Sequence, residues 1–168
     1  MPINVKHRLP EPDILAEIGA IAILHTQMEN QLRMLIMALA AVTKNEALDA
    51  TARSPSSDLR ELVKKLGKQR LGECPDLVKL RALIGRCERA TTKRNAWMHS
   101  VWGTEVEKGG VFLRVDDHSF KRAPSKKQLN NFVKELIQLI IDLVDARLKG
   151  FLRDALDAKP LSLKGASG

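Results

Sequence analysis

The chain has 168 residues, 44% hydrophobic and 29% charged, with a formal net charge of +8 and a pI near 9.7. That length and apolar content suit one domain with its own core, and the basic balance points to acidic partners, nucleic acid first. Two isolated cysteines, no CxxC and no Cys/His cluster leave no structural zinc site and no disulfide framework, and no apolar run reaches the roughly 20 residues a membrane span needs.

Aromatic residues make up only 4%, and tyrosine is absent. Leu, Ala, Ile, Val and Met must build the core, which favours helices. Residues 1–12 hold three prolines and read as an extended lead-in. They carry no charged-then-apolar leader pattern, and a reducing cytoplasm is the simplest setting. Asp13 opens a helix predicted to run to about Val42. Its inward line is Ile14, Ile18, Ile21, His25, Met28, Leu32, Ile36 and Leu39, at helical spacing. Ala16, Ala20, Ile23, Met34 and Ala41 form a second apolar stripe, as on a helix buried twice, once in its own bundle and once on another subunit.

A short helical turn at NEALDATA follows. SPSSDLRELVKKLGKQRL then reads as a fuller helix with Asp58 and Glu61 at capping-box spacing, ended by GECP. A third long helix is expected from about Asp76 to Trp97. TEVEKGGVFLRV alternates around a Lys-Gly-Gly turn and reads as a hairpin. The last helix starts at Ser125 with Gln128 three residues on, another capping-box pattern, and its core face is Leu129, Phe132, Val133, Leu136, Ile140, Leu143, Val144 and Leu148. Residues 159–168 read as a flexible tail. The expected fold is all-α: an up-and-down four-helix bundle over 13–158 with a short β-hairpin before the last helix.

One stretch stands apart. RNAWMHSVWG, Arg94 to Gly103, holds both tryptophans, an arginine, an asparagine and a histidine. On a wheel at about 100° per residue, Arg94 falls on the inward face with Leu77, Leu80, Ile84, Cys87, Thr91 and Met98. Arg86, Arg89 and Lys93 fall opposite, as a solvated stripe. An inward guanidinium needs a partner, and Glu29, at the edge of the first helix's inward line, is the natural one. The same pairing would equally serve a buried network that only fixes helix register. His25 reads as a hydrogen-bonded core histidine, and a His25/Glu29 metal pair lacks further ligands. On an unbroken helix Arg94 and His99 stand about 140° apart, so they meet only if the helix ends or distorts between them.

Arg94-Asn95-x-x-x-His99 resembles the R-x4-6-H motif of the HEPN superfamily, in which Asn often follows the arginine, the motif lies late in a long helix and an acid joins from an earlier helix, the place Glu29 would fill. The resemblance spans roughly residues 13–150. It implies a metal-independent endoribonuclease of the toxin or phage-defence type, working without a cofactor as a homodimer with a composite cleft, with RNA as substrate, an antitoxin protein as a further partner and 2′,3′-cyclic phosphate products. By that likeness His99 is the general acid or base, Arg94 neutralises the transition state, and Asn95 positions phosphate or imidazole. A tyrosine that one HEPN subgroup carries two residues after the histidine is Val101 here. The alternative the resemblance allows is a non-catalytic RNA-binding or dimerising module. Trp97 and Trp102 either anchor the helix end or stack a base. Lys93 and the loop residues Lys121, Arg122, Lys126 and Lys127 are candidates to track an RNA backbone.

Overall fold

The computed structural model describes residues 5–7, 9–105, 110–114 and 120–158. Helices make up most of it: α1 (Pro12–Ala40), α2 (Lys44–Thr51), α3 (Ser56–Leu71), α4 (Pro75–Met98), α5 (Lys126–Leu148) and α6 (Phe151–Ala158). The strands are β1 (Val5–His7), β2 (Val101–Glu105), β3 (Val111–Arg114) and β4 (Phe120–Arg122).

The expected hairpin is therefore the middle of a larger sheet. β2 and β3 pair antiparallel with Trp102 opposite Leu113, as the alternation predicts. β1 adds on one side, with His7 opposite Gly103, and β4 on the other, with Lys121 opposite Leu113. The order is β1-β2-β3-β4. The two outer strands are three residues each, too short to show an alternation, and the lead-in and basic loop that contain them gave no strand signal. The Lys-Gly-Gly turn, apart from Gly110, lies outside the described residues, as do His118 and the 159–168 tail.

The chain divides into two compact units. Met1–Thr26 and Arg89–Ile137 form the first, with the sheet, the start of α1, the end of α4 and the first turns of α5. Its buried residues include Ile21, His25, Thr91, Leu113, Leu129, Phe132 and Leu136. Gln27–Glu88 and Gln138–Gly168 form the second. Its core residues are leucine-rich, among them Leu32, Leu35, Leu59, Leu77, Leu80 and Leu143, and α6 packs on α3.

Local chemistry sets the helix ends. Ser125 and Gln128 form the expected reciprocal cap of α5: Ser125 N–H donates to Gln128 Oε1 at 2.8 Å, and Gln128 N–H to Ser125 Oγ at 3.3 Å. Thr43 and Glu46 do the same for α2. The hydrogen bond from the Thr43 backbone N–H holds the Glu46 carboxyl below its ordinary value. Asp58 and Glu61 do not cap. α3 starts at Ser56 behind Pro55, so Asp58 lies inside the first turn, where its charge meets the helix dipole, and Glu61 pairs with Lys64 at 2.7 Å. Past α5, Gly150 makes the turn into α6, a helix the sequence reading did not separate. A Cβ there would sit 2.9 Å from the Asp145 carbonyl oxygen.

Candidate active site

α4 delivers the motif. Leu77, Leu80, Ile84, Cys87 and Thr91 are buried along the predicted inward line. Three and seven residues beyond Thr91, Arg94 and Met98 are half-buried, so the line emerges at the surface as the helix ends.

That end is closed by side chains. The last four carbonyls of a helix have no intrahelical donor and must find others. The His99 N–H still donates to Asn95 O at 3.1 Å. Ser100 Oγ–H donates to Ala96 O at 2.6 Å, and Trp102 Nε1–H donates to Trp97 O at 3.0 Å. The chain can then leave as β2 directly, because the Ala96 and Trp97 carbonyls have side-chain donors. His99 sits on this capped corner, exposed.

There the two motif residues meet. Arg94 Nη1 lies 3.3 Å from His99 Nε2 and donates to Asn95 Oδ1 at 2.9 Å. The convergence needs no break before Met98. The long guanidinium arm reaches across, and His99 lies one residue past the helix. A guanidinium can only donate, so an Arg94–His99 hydrogen bond makes Nε2 the acceptor and leaves the hydrogen of a neutral ring on Nδ1. Nη1 thus spends both hydrogens within the motif. Arg94 Nε is buried and has no hydrogen-bond partner among the described residues.

The other predicted residues fall into place unequally. Glu29 is half-buried on α1, in the second unit, and makes a polar interaction of its own. His25 is a core histidine, only 4% exposed, with Nε2 3.1 Å from Thr91 Oγ1. Among the described residues no group of three or more His, Cys, Asp or Glu side chains could hold a metal ion.

Both tryptophans anchor the corner. Trp97 packs edge-on against Phe132 with ring centroids 5.3 Å apart, and the Trp102 indole is tied to the α4 carbonyl. With Met98 and Val101 they also line an apolar cavity of about 500 Å³, completed by Leu9, Pro10, Leu15 and Ile18. Its lead-in residues carried no signal beyond two prolines flanking the start of α1.

The stripe read as solvated is largely engaged. Lys93 Nζ bonds Glu135 at 3.0 Å and lies 4.6 Å from the Phe132 ring centroid, so its charge has partners within the protein. Arg86 pairs with Asp142 at 2.6 Å, and Arg89 is exposed. Lys126 pairs with Asp13 at 3.1 Å, and that hydrogen bond holds the Asp13 carboxyl below its ordinary value. Lys121 and Arg122 on β4, and Lys127 in the first turn of α5, are exposed. No helix among the described residues is long and apolar enough to cross a membrane. The chain matches no protein-family model, no curated protein and no solved structure.

Proposed function

We propose that this protein is a metal-independent endoribonuclease of the HEPN type, with Arg94, Asn95 and His99 as its reacting site. The observation that carries the reading is the exposed Arg94–His99 contact at 3.3 Å, with Asn95 on the same guanidinium nitrogen. A cation able to hold a phosphate and an imidazole able to move protons are the minimum that RNA transesterification needs.

In the proposed step, His99 Nε2 takes the proton of a ribose 2′-hydroxyl. The 2′-oxygen bonds to phosphorus and the bond from phosphorus to the 5′-oxygen breaks. The imidazolium returns the proton to the leaving 5′-oxygen, giving a 2′,3′-cyclic phosphate and a 5′-hydroxyl. Arg94 neutralises the charge that gathers on the phosphoryl oxygens. Such acid–base work is worth about 10²–10⁴-fold.

The wider reading is an up-and-down four-helix bundle that works in the cytoplasm as a homodimer, under the control of an antitoxin protein. Ile23, 62% exposed on the second apolar stripe of α1, supports a second copy covering that face. The exposed Lys121, Arg122 and Lys127 would meet the RNA backbone.

The test is cleavage of single-stranded RNA by purified protein in EDTA. The expected products end in 2′,3′-cyclic phosphate, and DNA of the same sequence survives because it lacks the nucleophile. Cleavage that needs magnesium, or that persists in both His99→Ala and Arg94→Ala, overturns the assignment. A folded protein that binds RNA without cutting it is instead the non-catalytic module.

A further inference from the structure

The Arg94–His99 contact is a difficulty for a ready-made base as much as a support for it. A base needs a free lone pair. His99 Nε2 stands 3.3 Å from Arg94 Nη1, and because a guanidinium only donates, a hydrogen bond there takes up the Nε2 lone pair. As long as that contact stands, Nε2 cannot also accept a proton from a hydroxyl.

We infer that Arg94 caps the His99 base in the free protein and that a phosphate bound by the guanidinium removes the cap. This rests on the ribonuclease reading for its meaning, though not for its measurement. Three features favour it. Nη1 is shared between Asn95 Oδ1 at 2.9 Å and His99 Nε2 at 3.3 Å, so the imidazole holds the longer and weaker of the two bonds. The Nε–H of the same guanidinium is buried and unpaired within the described residues, so the group is under-satisfied where it stands. A phosphate offers anionic oxygens that a guanidinium can meet with two parallel hydrogen bonds, where the imidazole offers a single nitrogen. The exchange therefore runs from a neutral acceptor to an anionic one.

Asn95 is the positioning residue in this scheme. Its Oδ1 keeps Nη1 near the ring after the imidazole lets go, so the guanidinium pivots on Asn95 and stays beside the base it has released. The consequence is selective proton transfer: Nε2 becomes available only when a phosphate is in place, and a hydroxyl arriving without one meets a blocked base.

The test is long-range proton–nitrogen NMR of the full chain labelled with ¹⁵N, at a pH where the imidazoles are neutral. His99 is assigned by the signals missing from His99→Ala. The expected free-state ring carries its hydrogen on Nδ1, the opposite of the preference of an unconstrained imidazole. Titration with inorganic phosphate, and separately with a 2′-deoxy dinucleotide that cannot be cleaved, should shift the Nε2 resonance and abolish that preference. Arg94→Lys, which keeps the charge but not the fork, should lose the preference without any ligand. A free-state ring protonated on Nε2 overturns the cap, and so does an Nε2 resonance that saturating phosphate leaves unmoved. The two readings fail separately. Cleavage of RNA with an Nε2-protonated free ring removes the cap and keeps the nuclease. The expected phosphate response without any cleavage removes the nuclease and keeps the cap as an anion-responsive pair.

Discussion

His25 and His99 carry the same ring in the same compact unit, and their surroundings give them opposite work. His25 is buried with its Nε2 3.1 Å from the Thr91 hydroxyl, a partner that can donate or accept. His99 is exposed with its Nε2 3.3 Å from a guanidinium, a partner that can only donate. The first arrangement satisfies a polar ring in the core and leaves it nothing further to do. The second holds a ring that solvent can reach. Residue type does not decide function here; burial and the sign of the partner do.

The largest way to break this contrast is through activity. His99→Ala should lower RNA cleavage by about 10²–10⁴-fold, and Arg94→Ala should lower it comparably. His25→Ala should leave the rate per folded molecule unchanged. Rates normalised to the folded fraction check this, and a catalytic loss in His25→Ala equal to that in His99→Ala would erase the distinction.

Stability should rank the same residues in reverse. His25→Ala opens space in the core and strips a partner from Thr91, at a cost of about 2–4 kcal/mol, read by urea unfolding. The buried thiol sharpens the point. Burial pushes the Cys87 thiol up to about 12, against the pull of the Arg60 and Arg86 charges. An acid raised on folding stabilises the fold fully below its unfolded value, near pH 8.5, and loses that contribution as pH climbs toward 12. Wild-type stability should therefore fall through that window, and Cys87→Ala should flatten the fall. Thiol reagents should label the half-buried Cys74 first, with Cys87 reacting only on unfolding.

How much of this was legible depends on whether a feature repeats. The core lines of α1, α4 and α5 recur every three or four residues, so Met28, Leu32, Leu80, Ile84, Leu129 and Leu136 were readable as buried, and His25 with them. Caps are local too: the spacing of Ser125 with Gln128 marks the cap that forms, Thr43 with Glu46 forms one on the same pattern, and Asp58 with Glu61 has the spacing without the cap. β1 and β4 were missed because a three-residue strand is defined by its distant partner and not by its own sequence. At the site, spacing placed Arg94 on the inward side. It could not supply the reach of a guanidinium past the helix end or the two capped carbonyls that hold His99 there. Those depend on Ser100 and Trp102, whose hydrogen bonds no periodicity encodes.

Trp102→Phe tests that last point with a smaller effect. A smaller aromatic ring remains, and the donor to Trp97 O is lost with part of the indole's packing, which should cost about 1–2 kcal/mol of stability. If the capped corner positions His99, cleavage should drop by more than the folded fraction does, with the loss in kcat and not in KM. A loss in stability alone would make Trp102 a packing residue with no share in orienting the site.

The smallest expected effect is the one that defines the comparison. His99→Ala should change stability by no more than about 0.5 kcal/mol, because the ring is exposed and removes little apolar surface from water. Its side-chain contact with Arg94 joins groups that water can solvate when the contact opens. A double-mutant cycle between Arg94 and His99, measured on unfolding, should likewise give a coupling near zero. The corresponding cycle between His25 and Thr91 should give about 0.5–1.5 kcal/mol, since the bond joins two buried polar groups. The sign of the contrast matters more than its size. If the Arg94–His99 pair proved the more strongly coupled in stability, its geometry would be explained by folding alone. Arg94 and His99 would then be a folding contact and not a reacting site, since the proposed chemistry requires a guanidinium–imidazole contact at the surface from which the fold gains nothing.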